Sequence, residues 1–266
     1  MAETTAQTNL MGRIGAIAKN TFREAVRDRV LYNLVLFVLL IVACAVILGD
    51  LTDGQEARTI VNIGLAAMLF FGVFISIFVG VGLVSKEIEK RTVYSIFSKP
   101  VRRAEFIVGK YLGLCLTLLV NIVVMGIGVS AALLFVKNTT LAASIWGSIF
   151  LIFLELCIVT AVAVLFSTFS TVALSALLTF LVFVIGHLSS SLRDLGESLA
   201  STATQYVLDA IYYLLPNLSL FSFRTEAANG LVPNSAMFFG GTGYAIAYVV
   251  ILITIAITIF SRRDFK

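Results

Sequence analysis

One carboxylate stands where hydrocarbon is expected. Glu155 is the only acidic side chain deep inside an apolar run of this 266-residue chain. A charge there costs on the order of 3 kcal/mol unless it is protonated or hydrogen-bonded. Two chemistries fit it: a polar contact or proton carrier on a path through the membrane, or an interhelical hydrogen bond to Asn121 or Thr117. Those two lie at about the same depth in the preceding apolar run. His187 is the single histidine, and it stands by itself near the end of another run. Met68, Met125 and Met237 are scattered over three runs, so direct metal coordination has no ligand cluster behind it. Cys44, Cys115 and Cys157 all fall in apolar segments and read as small core residues rather than a disulfide framework. No G-x-S-x-G or H-E-x-x-H pattern supports an intramembrane hydrolase. No G-x-x-x-x-G-K-[ST] loop is present either. Gly109-Lys110 runs into Tyr111 and lacks the upstream glycine, so nucleotide phosphates are not cradled by that device, and ATP energy would have to come from a partner.

The elements that must position these groups are membrane helices. Hydrophobic residues make up 59% of the chain and charged ones 13%, with a mean hydropathy of +1.03. A soluble domain of this size needs more polar surface. Six runs approach the 20 or so residues that cross a bilayer: Leu31–Leu48, Ile60–Val84, Tyr111–Val136, Leu141–Phe166, Thr171–Leu188 and Met237–Phe260. The fold class expected is an all-α membrane protein of six transmembrane helices. The first apolar run is too long for a signal h-region, so no cleavable leader is expected.

The basic residues set the orientation. Arg13, Lys19, Arg23, Arg27 and Arg29 precede the first run. Lys86, Lys90, Arg91, Lys99, Arg102, Arg103 and Lys110 cluster between the second and third, and Arg262, Arg263 and Lys266 close the chain. With both termini cytosolic, only Arg58, Lys137, Arg193 and Arg224 remain outside. The formal net charge of +4 follows from this topology and needs no nucleic acid partner.

Three segments do not span. Residues 1–30 form a cytosolic amphipathic segment, in which Ile14, Ile17, Ala18, Thr21, Phe22 and Ala25 recur at helical spacing. Arg13, Asn20, Arg23, Glu24 and Arg27 occupy the opposite side. Such a helix lies on the inner leaflet, drawn to anionic headgroups. The cytosolic loop 85–105 interleaves Ile88, Val93, Ile96 and Phe97 with charges and stops at Pro100, as a short crosswise helix would. It offers apolar knobs and charges to a cytosolic protein. The outer segment 189–235 carries helical periodicity over Leu199–Leu215, a break at Pro216-Asn217, and then Leu218, Leu220, Phe221 and Phe223. Helices lying at the outer interface are expected there. Gly72, Ser76 and Gly80 repeat every four residues on the second run and predict close helix approach. Tyr244 and Tyr248 read as interfacial or packing aromatics.

The loop sequence also resembles a known family. Glu87-Ile88-Glu89-Lys90-Arg91-Thr92-Val93-Tyr94-Ser95-Ile96-Phe97-Ser98-Lys99-Pro100-Val101-Arg102-Arg103, followed by Phe106, Gly109-Lys110 and Gly113, is similar to the permeases of type-2 ATP-binding-cassette (ABC) transporters. Phe166-Ser167-Thr168, Tyr213-Leu214-Leu215-Pro216-Asn217 and Arg262-Arg263-Asp264-Phe265 extend the likeness over nearly the whole chain. Arg91 departs from it, since many members have glycine there. The nearest branch is that of permeases linked to copper-enzyme maturation or gliding.

The resemblance implies a six-helix permease domain over 31–266, in the inner membrane of a prokaryote. It implies a dimer of like subunits, identical or paired with a similar permease, each resting on a separate ATP-hydrolysing subunit. The chain itself would hold no cofactor and catalyse nothing. The loop helix would be the coupling helix, with Val93, Ile96 and Phe97 as packing contacts. Glu87, Glu89, Arg91, Thr92, Pro100 and Arg103 complete that ATPase contact. Glu155, Asn121 and Thr117 would line the translocation path. The cargo would be amphipathic or lipid-like, or the work would be mechanical, delivered to an outer partner at 189–235. A membrane scaffold without transport is the alternative.

Overall fold

The computed structural model describes residues 3–25, 55–89, 102–189 and 212–262, with isolated positions 36, 37, 40, 41, 43 and 210. The long helices are α1 (Glu3–Ala25), α2 (Glu56–Glu89), α3 (Arg103–Phe135), α4 (Thr139–Ser167), α5 (Val172–His187) and α7 (Ser235–Arg262). A 3-10 turn (Leu218–Phe221) and the five-residue α6 (Arg224–Ala228) lie between α5 and α7. No strand occurs among the described residues. Among the described residues four helices are long and apolar enough to cross a membrane: α2 over Glu56–Gly82, α3, α4 and α7, while α5 is a shorter apolar helix. The first expected span, Leu31–Leu48, lies largely outside the described residues. Within it Phe37 and Ile41, one turn apart, are buried, and Phe37 sits edge-on to Phe71 of α2 at 6.1 Å.

α4 is the hub. In its most apolar stretch 78% is buried, against 28% for α7, and it packs on α2, α3, α5 and α7. Each of those neighbours turns another side outward, where Phe70, Ile127, Leu177 and Ile246 are exposed. In lipid that arrangement is stable, because hydrocarbon solvates an outward leucine or phenylalanine as well as a core does. The small-residue stripe of α2 does what its spacing predicts. A Cβ on Gly72 would collide with Leu156, and one on Gly80 would come within 3.1 Å of Ala163 Cβ. Both partners belong to α4, and Ser76, between the two glycines on the same face, is buried.

The bend between α3 and α4 takes only three residues. Asn138 N–H bonds to Leu133 O at 3.0 Å and Lys137 N–H to Leu134 O at 3.0 Å, which closes α3 as a Schellman motif. Lys137 stands at φ 63°, where a Cβ is unfavourable. The Asn138 carboxamide then accepts from Leu141 N–H at 3.1 Å and opens α4. Lys137→Gly therefore stabilises the bundle by about 1 kcal/mol, read as a rise in unfolding temperature in detergent.

All but α5 overrun the apolar bands from which they were expected. α2 continues to Glu89 and α3 starts at Arg103, because backbone hydrogen bonding does not stop where the hydrocarbon does. The loop 85–105 thus begins and ends as helix, and its middle, 90–101, lies outside the described residues. In the segment 189–235 the Pro216-Asn217 break is present, followed by the 3-10 turn and α6. Most of Leu199–Leu215 lies outside the described residues.

Candidate functional site

The root of α3 is where the sequence motif becomes geometry. α1 packs along α3 on the face its periodicity specified: Ile14, Ile17, Ala18, Thr21, Phe22 and Ala25 are buried or half-buried, and Lys19, Asn20, Arg23 and Glu24 are exposed. Its apolar side meets protein here, not only a leaflet. The approach depends on Gly109 and Gly113. A Cβ on Gly113 would lie 2.6 Å from the Ala18 carbonyl oxygen, and one on Gly109 2.7 Å from Ile17. Arg13, expected on the polar side, is half-buried and reaches Glu105 at 3.8 Å. A long side chain near the edge of an amphipathic face can turn either way, and the carboxylate decides it. Glu105 also accepts from Arg102 N–H at 3.4 Å, at the N-terminus of α3, where a negative charge is favoured.

The remaining motif positions tie α3 to its neighbours. Lys110, only 2% exposed, reaches Glu24 of α1 at 3.5 Å and lies 5.8 Å from the centre of the Phe106 ring. Phe106 stacks on Phe260 of α7 at 5.9 Å. Arg103 donates to the carbonyl oxygens of Phe260 at 3.2 Å and Ser261 at 2.7 Å. A cation there satisfies the open C-terminal end of α7. Of the expected ATPase contacts, Arg103 is thus engaged within the chain, and Glu87 and Glu89 fall in the last turn of α2. Arg91, Thr92, Val93, Ile96, Phe97 and Pro100 lie outside the described residues.

Glu155 does not pair with Asn121 or Thr117. Thr117 Oγ1 donates to the Gly113 carbonyl at 2.9 Å and Asn121 Nδ2 to the Thr117 carbonyl at 2.7 Å, both within α3. Those bonds direct the Thr117 hydroxyl and the Asn121 Nδ2 along α3 and not towards Glu155. Glu155, 1% exposed, instead meets His187 Nδ1 at 3.3 Å, and His187 Nε2 meets an Arg224 nitrogen at 3.4 Å. Arginine only donates, so Nε2 accepts and the ring proton sits on Nδ1, donated to the carboxylate. The histidine that stood alone in sequence is the middle of a chain linking α4, α5 and α6. Among the described residues no group of three metal-ligating side chains occurs.

This trio was missed although a signal existed. α4 and α5 are antiparallel about the Phe166-Ser167-Thr168 hinge, and Glu155 and His187 stand at comparable distances from it. At about 1.5 Å per residue they reach similar heights. Nothing local foretold Arg224, which arrives from a separate short helix.

At the same end, Asn217 gathers the segment 189–235. Its N–H donates to the Tyr244 hydroxyl at 2.8 Å, and its Oδ1 accepts from Ser189 at 2.7 Å and Ser219 at 2.6 Å. Tyr248 donates to the Leu214 carbonyl at 2.9 Å. Tyr244 and Tyr248 are therefore more than interfacial packing: their hydroxyls fasten the Tyr213–Asn217 stretch to α7. A Cβ on Gly186 of α5 would lie 2.5 Å from the Pro216 carbonyl oxygen, so the same stretch is seated on α5.

The family model for the ABC-2 family transporter protein matches residues 15–265. The chain belongs to the ABC-2 transporter family. No curated protein matches it. As an ABC-2 permease it is a multi-pass membrane subunit of a family that is typically non-catalytic, and the family implies an ABC ATPase as its partner. The matched region takes in α1 from its apolar face onward, the α3 root and the far-end cluster alike. In this ABC-2 permease the Phe106, Gly109-Lys110, Gly113 pattern is an assembly device: two glycines admit α1, and the phenylalanine and lysine fix α7 and α1 around them.

Proposed function

We propose that this permease is the transmembrane half of an ABC exporter. It carries six spans with both termini cytosolic, in a prokaryotic inner membrane, and works as a dimer of identical or similar subunits. Closure of the partner ATPases on ATP displaces the loop 85–105, and the spans rock in response. The observation that carries this reading is the clamped root of α3. A push on the loop enters a helix joined to α1 through Gly109 and Gly113 and to α7 through Arg103 and Phe106, so the three move together. Apolar Val93, Ile96 and Phe97 make the ATPase contact, and Glu87, Glu89, Arg91, Thr92 and Pro100 set its register.

The cargo is amphipathic or lipid-like, since among the described residues Glu155 is the one carboxylate buried at depth in the spans, and the other buried polar groups there, such as Asn121, Thr117, Ser76 and Thr160, are uncharged. A second output, mechanical work on an outer partner, is favoured by the Asn217 cluster, which ties the segment after Pro216 to both α5 and α7.

Purification of tagged permease in mild detergent, with mass spectrometry of what accompanies it, tests the coupling role. An ABC ATPase is expected in the eluate and is lost with Phe97→Asp, while α-helical content is unchanged. An eluate without any nucleotide-binding protein, from cells that contain one, would favour the scaffold instead.

A further inference from the structure

His187 is the chain's only histidine, and it ends α5 with a different partner on each ring nitrogen. Nδ1 meets the Glu155 carboxylate of α4 at 3.3 Å, and Nε2 meets the Arg224 guanidinium of α6 at 3.4 Å. The Phe183 ring, one turn back on α5, stacks on the imidazole at 5.8 Å and restrains its plane. The two ends of this chain of contacts differ in their access to water. The Glu155 side chain is 1% exposed and that of His187 25%, and Arg224 is half-buried. Protons therefore reach the ring from water more readily than they reach the carboxylate.

The two contacts make opposite demands on the ring. Arginine only donates, so the Arg224 bond needs a bare Nε2, while the Glu155 bond needs a proton on Nδ1. One form of histidine meets both, the neutral ring with its proton on Nδ1. Imidazole is the side chain whose charge ordinarily changes between pH 5 and 8. A second proton enters at Nε2 and takes up its lone pair. One N–H then faces another across 3.4 Å, with a positive charge behind each. The Glu155 side gains instead, because a charged donor strengthens a hydrogen bond to a carboxylate. The other described elements that pack on α5 are α2 and the 3-10 turn. From α2, Ala66, Leu69 and Phe70 lie beside His187, while Glu56 and Arg58 stand more than two helical turns away from Ala66. The 3-10 turn carries no charge, and Glu226 of α6 is exposed.

We infer that His187 is a pH-sensitive latch between α5 and α6. Neutral, it bridges Glu155 and Arg224; protonated, it keeps Glu155 and releases Arg224. α6 has other holds on the bundle. The Ser148 hydroxyl of α4 donates to the Phe223 carbonyl at 3.2 Å, and Ala227 and Ala228 are buried. Release of Arg224 therefore frees α5 from α6 without detaching α6. In the proposed orientation the proton comes from the outer side, and only that sidedness depends on the transporter reading.

The test uses the full chain with nitrogen-15 in its histidine, purified on a tag free of histidine so that a single imidazole is observed. Its nitrogen spectrum should show a neutral ring protonated on Nδ1 at pH 8 and an imidazolium at pH 5. Thermal unfolding in one detergent then reads the latch. Arg224→Ala should lower the unfolding temperature by about 2–4 °C at pH 8 and by less than about 1 °C at pH 5. With His187→Gln the loss should be equal at the two pH values, because the amide donates to Glu155 and accepts from Arg224 at both. A ring protonated on Nε2 at pH 8, or still neutral at pH 5, would overturn the inference. An Arg224→Ala loss as large at pH 5 as at pH 8, with His187 in place, would overturn it too and leave Arg224 a packing residue. A loss that fades at pH 5 even with His187→Gln would move the pH response to another group and sink the latch. If Arg224→Ala does not fold, the spectra of the parent protein still decide, since either wrong form of the ring rules the latch out.

Discussion

Gly113→Leu is expected to detach α1 from the bundle. Even a methyl group at this position would sit 2.6 Å from a backbone carbonyl and from Thr21 Cβ. Neither is the free end of a flexible side chain, so the helices must separate. Overpacking of this kind costs about 1–3 kcal/mol, occasionally more. The loss falls on a contact that buries Thr21 and Ala25 completely, and it weakens the Lys110–Glu24 pair as well. That pair adds little by itself, because Glu24 is 43% exposed and solvent screens it. Hydrogen exchange in detergent should show the α1 amides from Ile14 to Ala25 exchanging about ten- to a hundredfold faster than in the parent protein. ATP-driven work by the assembled transporter should fall with them. Gly12→Ala and Gly15→Ala are the controls. Nothing lies within 4 Å of a Cβ at either site, and alanine favours helix by about 0.5–1 kcal/mol. If Gly113→Leu exchanges like the parent, the close approach of α1 and α3 is wrong.

The second large effect belongs to His187. Replacing it with alanine strands the Glu155 carboxylate inside the bundle, away from both water and Arg224. Leaving a buried acceptor without its donor costs about 1–3 kcal/mol, more where the acceptor is charged, so a loss of about 2–3 kcal/mol is expected here. Glu155→Gln keeps an oxygen that accepts from Nδ1 and should cost under about 1 kcal/mol. The double variant Glu155→Gln, His187→Ala should recover at least about 1 kcal/mol relative to additivity. Thermal unfolding of the four proteins in one detergent gives that coupling. Additive losses would show that the 3.3 Å contact contributes nothing to stability. Glu155→Gln also separates structure from transport: full activity and stability together would leave Glu155 neither a proton carrier nor a cargo contact.

How much of this was legible in sequence depends on which contacts are local. Apolar run lengths placed α2, α3, α4, α5 and α7 to within a few residues at most ends, because a helix in lipid must bond its own backbone. The amphipathic face of α1 followed from spacing, and so did the packing role of Gly72, Ser76 and Gly80. What covers the α1 face did not follow, since an apolar stripe does not distinguish a leaflet from a neighbouring helix. The glycines at 109 and 113 were visible as part of a family pattern, but their purpose depends on a helix nearly a hundred residues away. Glu155 was singled out by cost alone, and the partners that depth offered as one of two readings, Asn121 and Thr117, are not the group it meets. The Thr117 hydroxyl and the Asn121 Nδ2 both bond back within α3, an outcome open to any threonine or asparagine on a helix. The Asn217 cluster was half-legible: Pro216 marks the break, but the tyrosines that hold it sit one turn apart on a different span.

The measurement that bears most directly on the whole reading is ATP hydrolysis by the purified assembly in liposomes. Permease alone should be inactive. Permease isolated with its ABC ATPase should hydrolyse ATP, and replacing the phosphate-loop lysine of that ATPase should abolish the rate. Phe97→Asp, by uncoupling the two, should leave the permease fraction without activity. Hydrolysis by the permease alone, or an active ATPase that never associates with it, would contradict its role as an ABC transport subunit.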